Sequence, residues 1–348
     1  MKRLLSFCWL LSISCFLGCT NNNSTSSTGG SNGSIAGGTK EPPGDTGTQA
    51  QTLSENPLSS ICQNLAGDLY VSSSGGKLLT STDGTSFTVL DETKRNLSSA
   101  FCERQSTGTT AIWFAGTQGA ILRYDGTDLS TETSGTTSNL NALFGTDIAN
   151  IYAVGENGTV VHWDGISWSN QTSSTTQNLY GVSGQNSQSG VFIVGANKTV
   201  LKLTPPSSTW ISVSNLPSDI PSDTRLNSIW VDPSSGEIFV VGNAGAILHG
   251  FPEGTSWEKQ TSGTSLDLLF IHGSSKFQIL AVGKESIILS YDGTTWTKQT
   301  SSLDSTFNLN GVFSNSATDA FAVGANGTST DSTGVILRLT ASGWSKIL

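Results

Sequence analysis

The sequence predicts an all-β fold, a seven-bladed β-propeller with four antiparallel strands in each blade. Residues 56–348 repeat one pattern seven times, and the clearest copy reads IYAVGENGTVVHWDGISW at residues 151–168. The glycine that ends the first apolar run of this copy recurs at steps of 39 to 47 residues. A period of about 40 residues, built from short strands and Gly-rich turns without helical periodicity, is typical of propeller blades.

The recurring glycine, here called the repeat glycine, fixes the division into blades. It falls at Gly116, Gly155, Gly195, Gly242, Gly283 and Gly324, and Ser73 takes its place in the first copy. The predicted blades therefore cover approximately residues 56–95, 96–138, 139–177, 178–224, 225–264, 265–307 and 308–348. We expect the ring to close by packing of the first blade against the seventh, without an exchanged strand.

Each copy divides into four strands. The first follows a leading leucine, as in LNALFG at residues 140–145, and the second ends at the repeat glycine. A further glycine such as Gly158 allows a tight turn with positive φ before the third strand. An Asp-Gly pair, as at Asp164-Gly165, then predicts a hairpin to a fourth strand that begins near a tryptophan. The second and third strands are rich in Val, Ile and Leu rather than strictly alternating, as expected when neighbouring blades cover both of their faces.

The N-terminus predicts export and lipidation. Lys2 and Arg3 precede an uncharged apolar stretch at residues 4–17, which is too short to span a bilayer and is typical of a signal peptide over residues 1–18. The following Gly18-Cys19 resembles the lipobox of bacterial lipoproteins. That resemblance implies cleavage before Cys19, acylation of this cysteine with chains such as palmitate, and a lipid-anchored position at the outer membrane of a bacterial envelope. The alternative is an ordinary secretory signal with an incidental cysteine.

Residues 19–55 are expected to form a tether between the acylated cysteine and the propeller. This segment has no aromatic residue and is dominated by Asn, Ser, Thr and Gly, so it buries too little apolar surface to fold. Its root-mean-square reach is on the order of 30–35 Å. A tether of this length predicts a partner in solution or on another surface.

The charge of the chain disfavours nucleic acid as a partner. The formal net charge is −9, and it becomes −11 once Lys2 and Arg3 leave with the signal. The remaining Lys and Arg residues form no basic cluster, whereas a phosphate backbone requires a concentrated positive surface. We expect a soluble, monomeric head group whose acidic surface maintains solubility.

Two cysteines remain in the propeller, Cys62 and Cys102, and each lies near the start of its repeat. Corresponding strands of adjacent blades lie side by side, so a disulfide between them is compatible with an oxidising envelope. The alternative is two buried free thiols.

The hairpins DGTTW and DGISW and the VGxxG turns resemble repeats of bacterial propellers of the neuraminidase-like (Asp-box) type. They also resemble the repeats of photosystem II assembly-factor propellers, whose second and third strands are similar. The resemblance covers nearly all of residues 56–348 and implies the propeller fold. Here the Asp and Gly are adjacent, so the turn is one residue shorter than an Asp-box. In either form the Asp and Trp are expected to build the turn and the strand packing.

No arrangement of residues predicts catalysis, a cofactor or a metal ion. Propeller sialidases use three converging arginines, but the arginines of this domain do not recur at matching places in the innermost strands. The histidines His162 and His249 hold equivalent third-strand positions, where other copies carry Arg123 or Ser290, and they resemble tolerated surface variants. No Cys-x-x-Cys, His-Glu-x-x-His or Gly-x-Ser-x-Gly motif occurs.

One polar position beside the leading leucine of the innermost strand is a candidate binding rim. Its members are Ser59, Ser98, Asn141, Tyr180, Asn227, Asp267 and Asn310. Sevenfold repetition predicts a ring near the mouth of the central channel that recognises a glycan, a peptide or an ion. The alternative is that these side chains satisfy exposed backbone groups between strands.

The sequence therefore predicts an envelope lipoprotein whose propeller is a non-enzymatic binding platform for protein or carbohydrate. The alternative is a periplasm-facing scaffold for envelope assembly, similar to the propeller lipoprotein of outer-membrane barrel-assembly machines. A third hypothesis is a glycan-active enzyme.

Overall fold

The structure is a computed structural model that describes residues 55–103, 111–186, 189–205, 207–327 and 333–348. The predicted signal peptide at residues 1–18, Cys19 and all but the last residue of the predicted tether lie outside the described residues. In the part of the chain that is described, no helix combines the length and apolarity needed to cross a membrane.

The first three sheets follow one another along the chain, and each consists of four consecutive strands. Sheet one contains β1 (Leu58–Gln63), β2 (Leu69–Ser73), β3 (Lys77–Ser81) and β4 (Thr88–Glu92); sheet two contains β5 (Leu97–Cys102), β6 (Ile112–Gly116), β7 (Ile121–Tyr124) and β8 (Leu129–Glu132); sheet three contains β9 (Leu140–Asp147), β10 (Asn150–Gly155), β11 (Val160–Trp163) and β12 (Trp168–Gln171).

Four further sheets repeat this arrangement. Sheet four contains β13 (Leu179–Gly184), β14 (Val191–Gly195), β15 (Val200–Leu203) and β16 (Ile211–Ser212); sheet five contains β17 (Leu226–Val231), β18 (Ile238–Gly242), β19 (Ile247–Gly250) and β20 (Trp257–Gln260); sheet six contains β21 (Leu268–Ser275), β22 (Gln278–Gly283), β23 (Ile288–Tyr291) and β24 (Trp296–Lys298); sheet seven contains β25 (Phe307–Ser316), β26 (Asp319–Asn326), β27 (Gly334–Thr340) and β28 (Gly343–Lys346).

All neighbouring strands within a sheet are antiparallel, and every sheet has its four strands in sequence order. The predicted fold, a seven-bladed propeller with four antiparallel strands per blade, is confirmed. The described helices are single 3₁₀ turns between strands, at Thr117–Gly119, Glu156–Gly158, Asn243–Gly245, Pro252–Gly254 and Lys284–Ser286.

The core lies between the blades rather than within them. The described residues form seven hydrophobic clusters, one at each junction between neighbouring blades. Strand β10 shows how one strand serves two junctions, because Ile151 and Ala153 pack toward blade two whereas Tyr152 and Val154 pack toward blade four. Full burial of a side chain such as Ile151 or Val154 contributes roughly 1.5–3 kcal/mol, and burial of both sets requires both neighbouring blades.

A β-bulge begins every innermost strand, and it explains the repeat glycine. In blade three, Val154 pairs with Ala142 and Gly155 pairs with Leu140, so Asn141 is left without a partner in the ladder. The bulge brings the backbone of the innermost strand so close that a Cβ on Gly155 would lie 2.0 Å from the carbonyl oxygen of Asn139. Gly155 is extended, with φ near −163°, so the requirement for glycine is steric at this position.

The turn after the repeat glycine has a different requirement. In Glu156–Gly158 both Asn157 (φ 55°) and Gly158 (φ 70°) are left-handed, which is the geometry of a two-residue type I′ hairpin. Asn157-Gly158 is the favoured sequence for this turn, whereas Gln118 and Ala244 adopt the same conformation in blades two and five at a steric cost.

The ring closes where blade seven meets blade one. Leu58 and Val71 of blade one share a hydrophobic cluster with Phe321 and Val323 of blade seven. The guanidinium of Arg338 lies over the ring of Phe321, 5.3 Å from its centroid, and donates to the carbonyl of Gly84 at 3.4 Å. Side chains and single hydrogen bonds therefore hold this junction.

A disulfide joins blades one and two. Cys62 at the end of β1 is bonded to Cys102 at the end of β5, with their Cα atoms 5.5 Å apart. Both cysteines are buried. Cross-linking residues separated by 40 positions stabilises a fold by roughly 3–4 kcal/mol in the chain-entropy account.

Replacing Gly158 by alanine is expected to destabilise the propeller strongly. A Cβ at this position would lie 1.9 Å from the carbonyl oxygen of Thr175 and would also oppose the positive φ. We expect Gly158→Ala to lower the free energy of unfolding by about 3 kcal/mol or more. The measurement is chemical denaturation followed by tryptophan fluorescence.

Gly126→Ala is the matched control for this prediction. Gly126 also has a positive φ (99°), but its Cβ would meet nothing within 4 Å. We therefore expect only the conformational cost of a left-handed alanine, about 1 kcal/mol. Equal losses in the two variants would contradict the steric explanation.

Candidate functional site

The candidate site is a cavity of about 490 Å³ on the axis of the ring, lined by residues of all seven blades. Its walls are the C-terminal halves of the seven innermost strands and the first residues that follow them. Polar side chains from the ends of these strands include those of Gln63, Glu103, Asp147, Gln185 and Asn315. The cavity therefore lies at the C-terminal ends of the innermost strands.

Aromatic side chains form much of the cavity wall. They lie four positions after the leading leucine of their strands, where Phe101 and Phe144 have ring centroids 5.9 Å apart and His272 and Phe313 have centroids 4.6 Å apart. Trp230 occupies the same position in blade five, and a Cβ on Gly273 would lie 2.8 Å from its ring. Small residues in the next blade thus make room for these rings.

Six of the seven predicted rim residues occupy the bulged position of an innermost strand. These residues are Ser59, Ser98, Asn141, Tyr180, Asn227 and Asn310. None of the seven lines the axial cavity, which is built from residues further along the same strands. A bulge redirects its extra side chain, and here the described contacts of that side chain reach adjacent blades.

Three asparagines of this set join neighbouring blades. Each Asn donates from Nδ2 to the carbonyl of the leading leucine in the next blade: Asn141 to Leu179 at 2.8 Å, Asn227 to Leu268 at 2.7 Å and Asn310 to Leu58 at 2.9 Å. These bonds span the junctions of blades three and four, five and six, and seven and one. The geometry corresponds to the second hypothesis from the sequence, in which the side chains satisfy exposed backbone groups.

Tyr180 also contacts an adjacent blade, because the Arg225 guanidinium of blade five lies 3.7 Å from the centroid of its ring. This stacking is a cation–π contact between blades four and five.

Asp267 does not belong to the bulged set, contrary to the prediction from the sequence. The leading leucine of blade six is Leu268, which pairs with Gly283, so the bulged residue is the apolar Leu269. In the sequence, Leu266, two residues before Leu268, also resembles a leading leucine, and it places Asp267 at the predicted rim position. Asp267 instead accepts a hydrogen bond from the backbone N–H of Ala244 at 2.9 Å and pairs with Lys284.

Burial raises the pKa of Asp267, but the bonds from Lys284 and Ala244 outweigh it, and the net shift is downward. The carboxylate thus stays charged and holds the left-handed turn of blade five. Asn139, Asn178 and Asn308 occupy the corresponding place, and their Oδ1 atoms accept from the turns of blades two, three and six.

The Asp-Gly hairpins are structural elements. Asp292 accepts backbone N–H bonds from Thr294 and Thr295, both at 2.8 Å. The bonds from Thr295 and then Thr294 lower the pKa of Asp292 to about 2. Asp83, Asp125 and Asp164 accept the same pair of bonds in their own turns.

The histidines are dispersed among different contacts. Burial lowers the pKa of His162, which packs against Tyr152. His249 lies between Glu237 and Glu258, 3.0 Å from each, so it is buried and paired rather than a surface variant. Among the described residues, no group of three or more His, Cys, Asp or Glu side chains is placed to hold a metal ion.

The two faces of the propeller differ in charge. In each blade, one turn joins the first strand to the second and another joins the third strand to the fourth. We define the front face as these two turns of every blade, together with the two strand residues on either side of each turn. The back face carries the remaining connections. Carboxylates of the front face are Asp68, Asp83, Glu103, Asp125, Asp128, Asp147, Asp164, Asp232, Glu237, Glu253, Glu258, Asp292 and Asp319. Cations there are Arg123, Lys202, Lys276 and, through its contact with the turn at Gly84, Arg338.

The described residues therefore place thirteen carboxylates and four Lys or Arg residues on the front face. Everywhere else, the described residues include ten carboxylates and nine Lys or Arg residues, which nearly balance. The apolar surface is also uneven. Among the described residues, all the large hydrophobic side chains that are exposed lie on the front face: Leu65, Val89, Ile148, Ile166, Ile211, Phe251 and Phe277.

Comparison with known proteins supports the architecture. Residues 160–267 match the family model described as photosynthesis system II assembly factor YCF48. No curated protein sequence matches the chain. The matched segment covers parts of blades three to six.

Two solved structures superpose on most of the chain. YCF48 from Cyanidioschyzon merolae has 13% sequence identity and a TM-score of 0.64, with 83% of this chain and 97% of that chain covered. A structure described as YCF48 bound to D1 peptide has 14% identity and a TM-score of 0.62, covering 83% of this chain and 94% of that one. These structures share the propeller fold. At this identity they show the fold alone.

The asparagine joint between blades seven and one is expected to contribute measurably to stability. Asn310→Ala removes the hydrogen bond from the half-buried Asn310 side chain to the carbonyl of Leu58, a residue that is almost fully buried. We expect a loss of about 1–2 kcal/mol in the free energy of unfolding, measured by urea denaturation.

Ser98→Ala tests whether the bulged position itself has this effect. Ser98 occupies the same place in blade two, and no described side-chain bond joins it to another blade. We expect a change within about 0.5 kcal/mol. If Ser98→Ala costs as much as Asn310→Ala, the interblade bond is not the cause.

Proposed function

We propose that this propeller is a non-enzymatic, protein-binding platform, held at the bacterial envelope by the acylated Cys19. The observation that carries the proposal is the axial cavity, which is walled by aromatic rings and surrounded by loops from all seven blades. Binding residues on rigid scaffolds concentrate in such loops, and concave, mainly apolar pockets with a few polar groups are typical binding sites.

The likeness to a solved YCF48 structure bound to D1 peptide supports a protein as the ligand class. That propeller shares the four-stranded blades and ring architecture of this chain. A polypeptide is therefore favoured over a carbohydrate as the partner of the present propeller.

The carboxylates at the cavity support binding rather than hydrolysis. Asp147 accepts bonds from the Ala149 N–H at 2.9 Å and the Asn150 side chain at 3.0 Å, so it holds a turn. Glu103 lies in another blade, at the end of β5.

A scaffold role in envelope assembly, on the periplasmic side, remains the alternative within the same proposal. Both versions require a membrane-held propeller and a protein partner. They differ in the side of the outer membrane that the propeller faces.

Site-specific photo-crosslinking tests the protein-binding role. We place p-benzoylphenylalanine at Ser274, which lines the cavity on the front face and is exposed, and at Gln118, an exposed turn residue of the back face. Irradiation of native envelopes should yield discrete adducts with protein at position 274, identified by mass spectrometry. Folded protein that gives no protein adduct at either position would refute the platform.

Lipidation is tested with the full-length chain. Cys19→Ser is expected to move the protein from the membrane fraction to the soluble fraction and to abolish incorporation of labelled palmitate, because several acyl chains are needed for durable anchoring. The wild type is treated with protease in intact and lysed cells, and digestion only after lysis favours the periplasmic scaffold. A Cys19→Ser protein that stays in the membrane fraction would contradict the anchor.

A further inference from the structure

The front face combines three features that the back face lacks among the described residues. It carries all the exposed large hydrophobic side chains, with Ile166 at 85% exposure and Phe277 at 63%. Nearly all of the net negative charge of the described residues lies there. The axial cavity is lined by the ends of the innermost strands that lead into this face.

The exposed hydrophobic residues are distributed around the ring rather than in one blade. Leu65 belongs to blade one, Ile148 and Ile166 to blade three, Phe251 to blade five and Phe277 to blade six. Phe277 lies against Gly293, close enough that a Cβ there would approach its ring to 2.5 Å. Apolar side chains on turns around an axial cavity fit a partner that crosses the face.

The surplus of carboxylates defines the charge of that partner. Most of the cations on the front face are already paired: Lys202 with Glu253 at 2.8 Å, Lys276 with Glu237, and Arg338 with Asp319 at 3.9 Å. The remaining carboxylates include the exposed Asp128, whose side chain has no described partner. A positively charged segment would complement this surface, whereas an anionic lipid headgroup would be repelled.

The cavity itself holds unfilled hydrogen-bonding capacity. The hydroxyl of Ser314 lines it, is 1% exposed as a residue, and has no hydrogen-bond partner in the described part of the chain. A buried polar group without a partner is costly unless a ligand or water completes it. Phe313 and Trp230 contribute to the apolar wall of the same cavity.

We propose that the front face docks a segment of a partner protein in which Lys or Arg residues alternate with apolar residues. The apolar side chains pack on the exposed hydrophobic turns and enter the axial cavity, while the cations meet the surplus carboxylates. This inference rests on the proposed function and specifies the chemistry of the partner. It also predicts an association that salt weakens, since exposed charges are screened within about 8 Å at physiological ionic strength.

The test uses fluorescence anisotropy with three labelled synthetic peptides and the folded, full propeller. The probe alternates Lys and Phe; one control alternates Glu and Phe, and the other alternates Lys and Ser. We expect the Lys–Phe peptide to bind at least about tenfold more tightly than either control, and to lose affinity as salt rises from about 50 to about 200 mM. Equal binding of the Glu–Phe peptide, or binding insensitive to salt, would overturn the proposal.

Matched variants locate the binding. Asp128→Lys on the front face and Ile166→Ser should each weaken the Lys–Phe peptide by at least about threefold. Asp223→Lys makes the same charge change at an exposed position of the back face and should leave the affinity unchanged. If Asp223→Lys weakens binding of the Lys–Phe peptide as much as Asp128→Lys does, only the overall charge matters, and the proposed docking site is wrong.

The outcome separates this inference from the platform itself. If adducts form at Ser274 but the Lys–Phe peptide fails to bind, the protein-binding function stands and the partner chemistry is wrong. If neither adducts nor peptide binding occur, both proposals fail. Circular dichroism confirms that the variants are folded, as expected for side chains with such high exposure.

Discussion

Each blade of this protein has two apolar faces, and the rest of the structure depends on covering both. A four-stranded sheet whose second and third strands are buried on either side has no stable form in water alone. In the described chain, one hydrophobic cluster covers these faces at every junction of the ring. Contacts between blades therefore stabilise the fold, and the features that repeat in the sequence are those that bring neighbouring blades into contact.

The bulge at the start of each innermost strand is the main device at these junctions. In six of the seven blades the close backbone approach at the bulge is matched by the repeat glycine, as at Gly155, and the bulge turns asparagines such as Asn141 toward the next blade. As a result, the residues at the start of each innermost strand contact the neighbouring blade. The residues at its C-terminal end line the axial cavity, and these residues differ from blade to blade.

The architecture could be predicted from the sequence because its causes are local and repeated. The Asp-Gly turns, the repeat glycine and the apolar second and third strands each report a steric or hydrogen-bonding requirement of one blade. The register of blade six could not be read, because Leu266 and Leu268 both fit a leading leucine and only pairing with Gly283 decides between them. The role of the predicted rim residues could not be read from the sequence either, because it depends on the direction of their side chains, and a bulge changes that direction.

The candidate site was harder to predict for a related reason. The aromatic lining occupies a position where the seven copies differ, with Phe101, Trp230 and His272 among its members, so no repeated signal marks it. The charge difference between the faces is also hidden in the sequence. Its residues are scattered over more than two hundred positions and come together only through the closure of the ring.

That closure has a consequence for how the chain folds. Six junctions join blades that are adjacent in sequence, but the bond from Asn310 to Leu58 spans 252 residues. Its formation carries the largest loop-closure entropy in the ring. An arc of the first six blades leaves two apolar end faces uncovered, one on blade one and one on blade six, until the seventh blade packs between them. The disulfide between Cys62 and Cys102 ties blade one to blade two, so one wall of the gap that the seventh blade fills is covalently cross-linked.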